Sequence, residues 1–99
     1  MLQRDEILQF LAQHKQQLHT DLRIVKLGLF GSFAQGNATE ASDIDLIVEF
    51  EPNTDDLYEK KMYLKEFLKA RFAREVDVCR EKYIKPVFKT QILRTAIYV

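Results

Sequence analysis

The sequence predicts an α/β (α+β) domain in which a small mixed β-sheet packs against helices. Three observations carry that prediction. Short apolar or alternating runs mark three strands, and helical periodicity marks the longer segments between and around them. The composition also suits a packed core: of 99 residues 46% are hydrophobic, with seven Phe and four Tyr, while Gly and Pro number only three and two. Such a chain is not disordered. Its length predicts one domain over residues 1–99, the minimal order being α-β-(turn)-β-α-β-α.

Residues 3 to 19 read as a helix, because Ile7, Leu8, Leu11 and Leu18 fall near one face and Gln, His and Lys cover the rest. Arg23 to Phe30 is a β-rich run, apolar enough to be buried on most of both faces. Gly31-Ser32 ends it, residues 32 to 36 suit one helical turn, and Gly36 to Ser42 is polar and turn-forming. From Asp43 to Phe50 the period is two: Ile44, Leu46, Val48 and Phe50 share one face, while Asp43, Asp45, Ile47 and Glu49 share the other. Pro52 to Asp56 breaks the strand and supplies helix-start residues, and a helix is expected from Leu57 to about Phe72. Arg74 to Arg80 predicts a third strand, with Val76 and Val78 opposite Glu75, Asp77 and Cys79. Pro86 opens a last helix expected to contain Val87, Phe88, Ile92, Leu93, Ile97 and Tyr98.

Fifteen basic and fifteen acidic side chains cancel, but unevenly along the chain. Residues 1 to 56 hold four basic and ten acidic groups, and residues 57 to 99 hold eleven and five. The basic half suits nucleotide phosphates or an acidic partner, whereas the neutral total argues against direct nucleic-acid binding. Cys79, the single cysteine, has no internal disulfide partner, and no apolar run suggests a signal peptide or a membrane span. A cytoplasmic location is expected.

Asp43 and Asp45 stand at i and i+2 of a strand, so both face one way with Cβ atoms about 7 Å apart. Such a pair is either solvated at a strand end or built to hold a hard divalent cation. Gly31-Ser32 is likewise either a plain turn or an anion cradle, in which Gly admits a phosphate to the backbone and Ser adds a donor. A strand ending in that cradle, the ten residues Phe33 to Ser42, and a neighbouring strand beginning Asp43-Ile44-Asp45 would bring phosphate donors beside metal-binding carboxylates.

That conjunction, within GLFGSFAQGNATEASDIDLIVEF, resembles the DNA polymerase beta-like nucleotidyltransferase superfamily. In particular it is similar to the minimal nucleotidyltransferases of prokaryotes, about this short and often encoded beside a HEPN-domain ribonuclease whose antitoxin they are. The resemblance covers Leu27 to Cys79 well and the terminal helices only by length and order. It implies the minimal nucleotidyltransferase fold, with Asp43, Asp45 and Asp77 as catalytic carboxylates converging as one cage for two Mg²⁺ ions. Glu75 is the competing candidate for the third position. It further implies that Gly31, Ser32 and Ser42 bind the nucleotide. ATP is the implied donor, the implied acceptor is a hydroxyl, best a Tyr, of a cognate HEPN toxin, and the implied product is AMP-modified, inactive toxin. The second domain with which larger relatives hold their acceptors finds no room in this length, so a partner is expected to form the other wall. Two alternatives stand beside this reading: an antitoxin that occludes its toxin without chemistry, and the catalytic subunit of a small-molecule nucleotidyltransferase.

One departure matters. Where many relatives have Arg after Ala34 in a run like GSxARG, this chain has Gln35, which can donate a hydrogen bond but carries no charge. Lower nucleotide affinity is expected unless a Lys or Arg of the basic half substitutes. Other conspicuous residues have ordinary readings. His14 and His19 are expected to be solvated, Cys79 a small buried side chain near the site, and Lys60, Lys61, Lys65 and Lys69 a solvated stripe. Tyr58, Tyr63, Tyr83 and Tyr98 are expected in the core or at an interface.

Overall fold

The computed structural model describes residues 1–99. In chain order the elements are α1 (Arg4–Leu22), β1 (Ile24–Phe30), α2 (Gly31–Gln35), β2 (Ile44–Phe50), α3 (Leu57–Phe72), β3 (Val76–Arg80), a 3₁₀ turn (Glu81–Tyr83), α4 (Pro86–Thr95) and β4 (Ile97–Tyr98). Helix α1 runs to Leu22, three residues past the expected stop, and ends where Arg23 turns left-handed at φ 61°. The Arg23 N–H closes that end on His19 O at 2.9 Å.

The four strands form one sheet in the order β3-β2-β1-β4. β2 pairs antiparallel with β1 and parallel with β3, and the parallel pair needs a crossover, which α3 supplies. The sheet is therefore mixed, as expected. β4 was not expected: Ile97 and Tyr98 leave the helix and pair with Leu29 and Gly28 at the free edge of β1. Gly28 makes this approach feasible, since a Cβ there would lie 2.7 Å from the Tyr98 ring.

Period-two alternation in β2 becomes burial as read: Ile44, Leu46, Val48 and Phe50 are all in the core. They meet Leu27 and Leu29 of β1, Val76 and Val78 of β3, Ile7, Phe10, Leu11, Leu18 and Leu22 of α1, and Leu64 and Leu68 of α3. Each fully buried Leu contributes about 1.5–3 kcal/mol by leaving water. β1 is less buried than expected, because Val25 and Lys26 face solvent beside a bulge between Ile24 and Lys26. No helix is long and apolar enough to cross a membrane.

The opposite face of the sheet carries Asp45, Ile47 and Glu49 of β2 and Asp77 and Cys79 of β3. It is only partly covered. α4 packs beside α2 and β1 yet buries none of its residues fully, leaving Val87 80% and Phe88 53% exposed. The tyrosines are not core residues: Tyr58, Tyr63 and Tyr83 are more than half exposed, and Tyr98 lies on edge strand β4. His14 is not solvated either, because it packs on the Phe10 and Phe67 rings and bonds Phe10 O at 2.8 Å.

Candidate active site

Strand register assembles the candidate residues. Asp45 lies opposite Phe30, the last residue of β1, and on its other side opposite Asp77 of β3. Gly31 follows Phe30 directly with φ +74°, a left-handed conformation natural to glycine. A Cβ at Gly31 would overlap Asp45 Oδ2, so the carboxylate rests against bare backbone. The sharp bend, the short helix it opens and the central carboxylate thus form one contact. Ser32 is in the first turn of α2, whose amide groups have no side-chain cap.

Asp43 precedes the first ladder residue of β2 and is exposed, where the sequence reading had it start the strand. Asp45 is half-buried, and its carboxyl pKa is pushed up from 3.8 to about 6, first by burial and then by the charges of Asp77 and Asp43. The three carboxylates therefore share one electrostatic site centred on Asp45. They do not form the closed cage expected from sequence, since no three His, Cys, Asp or Glu side chains are gathered closely enough to hold an ion by themselves.

Acidic side chains in and next to the sheet are neutralised locally. Lys26 pairs with Glu81 at 2.7 Å, Arg80 with Glu49 at 3.0 Å, and Arg23 with Glu51 at 2.6 Å. Glu75, the competing third carboxylate, pairs with Lys69 of α3 at 2.9 Å, which holds its carboxyl below the usual range. None of these ion pairs includes Asp43, Asp45 or Asp77. An open group of unpaired carboxylates suits Mg²⁺, a hard cation that keeps waters and takes substrate phosphate oxygens beside one or two carboxylates. The donor set fits the metal, and the missing side chain at Gly31 is what seats Asp45 against the bend.

Three further residues are placed by the structure. Cys79 Sγ is 3.9 Å from Asp77 Oδ2, on the same face, and burial followed by the Asp77 and Asp45 charges pushes its thiol pKa up, so it is a poor nucleophile. Ser42 points into its own loop, its Oγ accepting the Thr39 N–H at 2.8 Å. This makes Ser42 a loop residue first. His19 bonds Glu51 at 2.8 Å, away from the trio.

The model of the nucleotidyltransferase domain family matches residues 6–99. The chain belongs to that family. This nucleotidyltransferase is 34% identical over 99 residues to the protein adenylyltransferase MntA of Thermococcus cleftensis, covering all of this chain and 98% of that one. Among solved structures it is similar to a minimal nucleotidyltransferase at 33% identity and TM-score 0.66, covering 95% of this chain and 86% of the other. A toxin–antitoxin complex with AMP-PNP shares the fold at TM-score 0.65 and 22% identity, covering 98% and 72%. The nucleotidyltransferase thus has the minimal fold expected of it, with its four-stranded mixed sheet.

The different surroundings of Asp77 and Glu75 separate the two candidates experimentally. Asp77→Asn is expected to lower nucleotidyl transfer about 100-fold or more, by the scale of losing a metal-positioned reacting group. Glu75→Gln removes only an exposed ion pair and is expected to leave the rate within about twofold. Steady-state rates of both variants check this.

Proposed function

We propose that this nucleotidyltransferase moves AMP from ATP to a protein hydroxyl, with a tyrosine of a HEPN-type ribonuclease toxin as acceptor, and acts as that toxin's antitoxin. The observation that carries the proposal is the packing of Asp45 against Gly31, with Asp43 and Asp77 in electrostatic reach and no cation of the chain paired to any of them. Two further features favour a protein acceptor. Asp43 and Asp77 are exposed, so the trio stands on an open face that a bulky acceptor can reach. Beside that face α4 exposes Val87 and Phe88, apolar side chains of the kind a partner covers.

In this reading Asp43, Asp45 and Asp77 would hold Mg²⁺, which when bound neutralises phosphate charge and makes the attacking hydroxyl more acidic. The chain's own groups supply position. Gly31 seats Asp45 against the bend, and the Ser32 hydroxyl donates to the phosphates. Asp77, exposed on edge strand β3, meets the incoming acceptor hydroxyl. The acceptor oxygen attacks the α-phosphorus as the bond to the β-phosphate oxygen breaks, its proton passes to solvent, and pyrophosphate leaves. Where relatives place an arginine, Gln35 is exposed and adds only a neutral donor.

Incubating the chain with its cognate toxin, ATP and Mg²⁺ is expected to raise the toxin's intact mass by AMP and to abolish its ribonuclease activity. Equal inhibition without ATP and without a mass gain would support occlusion alone. Phe88→Glu is expected to slow toxin modification about tenfold or more, the scale for losing an apolar contact at an interface centre, with unchanged nucleotide affinity. An unchanged rate would remove α4 from the acceptor surface.

A further inference from the structure

Arg74 is half-buried between α3 and β3, and its side chain reaches away from both. Its Nη1 donates to Thr39 O and to Ser42 O, each at 2.9 Å, in the loop that joins α2 to β2. The same guanidinium lies 5.3 Å from the centre of the Phe33 ring, the buried side chain of α2 next to Ser32. One planar cation thus ties together the loop, the short helix and the entry to β3. A lysine ammonium could reach a carbonyl but lacks the fork and the flat face.

Asp43 depends on this tie more than Asp45 or Asp77 does, because it lies before the β2 ladder begins. Its two chain neighbours are held from the same short segment: Ser42 O by Arg74, and Ile44 N–H by Glu75 O at 2.9 Å. The loop is also internally braced, with Ser42 N–H on Thr39 O at 3.1 Å and Ala41 N–H on Thr39 Oγ1 at 3.2 Å. It behaves as a preformed turn that needs fastening, and Arg74 is the fastener.

We propose that Arg74 is a positioning residue, which docks the 37–43 loop on α2 and so aims Asp43 at the shared metal–nucleotide site. The inference rests on the proposed function in taking Asp43 as a ligand of that site. Its test uses Mn²⁺ with AMP-PNP, read by electron paramagnetic resonance on the full chain, together with amide hydrogen exchange of the free protein. Arg74→Ala is expected to weaken Mn²⁺ binding about 10-fold or more, the usual scale for a group that orients a metal ligand. Arg74→Lys should recover part of that loss, and Arg74→Ala should speed Ile44 amide exchange about 10-fold by loosening the loop. In an Asp43→Asn background Arg74→Ala should change Mn²⁺ affinity less than about twofold, since the two act through one route.

Undiminished Mn²⁺ affinity in Arg74→Ala would overturn the inference, as would a full additional loss in the Asp43→Asn background. A wild-type chain that binds no Mn²⁺–AMP-PNP would instead overturn the proposed function, and unchanged Ile44 exchange in Arg74→Ala would then overturn the docking role by itself. Melting of each variant distinguishes local loosening from unfolding.

Discussion

Asp45→Asn is expected to lower nucleotidyl transfer about 1,000-fold or more and, at neutral pH, to melt at a higher temperature than the wild type. Loss of activity follows from removing the carboxylate at the centre of the trio, at several kcal/mol of charge stabilisation in the transition state. The gain in stability has a separate cause. Burial and two neighbouring carboxylates raise the Asp45 pKa from 3.8 to about 6, so the folded state holds that proton more tightly than the unfolded state. The resulting stabilisation is complete below about pH 4 and is lost as pH rises through 6, leaving an ionised Asp45 that opposes folding. Because the group is half open to solvent, the cost at neutral pH is on the order of 1 kcal/mol. Melting of Asp45→Asn about 4–8 °C above the wild type at pH 7.5, with no difference at pH 4, is the expected result. Mg²⁺ should raise the melting temperature of the wild type and not that of Asp45→Asn.

Gly31→Ala has the second large effect, on fold and chemistry together. A left-handed φ of +74° costs a residue with a Cβ about 1–2 kcal/mol, and the added methyl would also overlap Asp45 Oδ2. Displacing that carboxylate brings the total to about 2–4 kcal/mol, within the range for overpacked sites. The variant should melt about 10 °C or more below the wild type and lose nucleotidyl transfer as Asp45 swings away from the bend. Combining Gly31→Ala with Asp45→Gly should restore part of the stability, because the overlap disappears and only the backbone penalty remains. If the double variant is no more stable than Gly31→Ala, contact with Asp45 is not what constrains position 31.

The side of the sheet on which Asp45 and Asp77 stand was legible because both residues obey strand parity. Asp45 and Asp77 alternate with core residues Ile44, Leu46, Val76 and Val78, so the burial of those neighbours dictates which way the acids face. The bend at Gly31 was legible for a similar reason, an apolar run ending abruptly in Gly-Ser. Other features depend on contacts between distant segments and carry no local pattern. Ile97 and Tyr98 continue the apolar spacing of α4, and only the free edge of β1 turns them into a strand. Arg74 looks like any basic residue after a helix until the fold brings Thr39, Ser42 and Phe33 to it. His14 has an unremarkable helix position, and the aromatic cluster formed with Phe67 of α3 is what half-buries it. Glu75 and Asp77 share a face and sequence spacing alone does not rank them; the ion pair of Glu75 with Lys69 is a contact between segments that no local pattern shows.

Carbon-13 NMR of the aspartate side chains during titration with Mg²⁺ and AMP-PNP reports directly on whether Asp43, Asp45 and Asp77 act as a unit. All three carboxyl resonances should move with a common midpoint, while that of Glu75 stays with its lysine. A silent member of the trio, or a response centred on Glu75, would contradict the account.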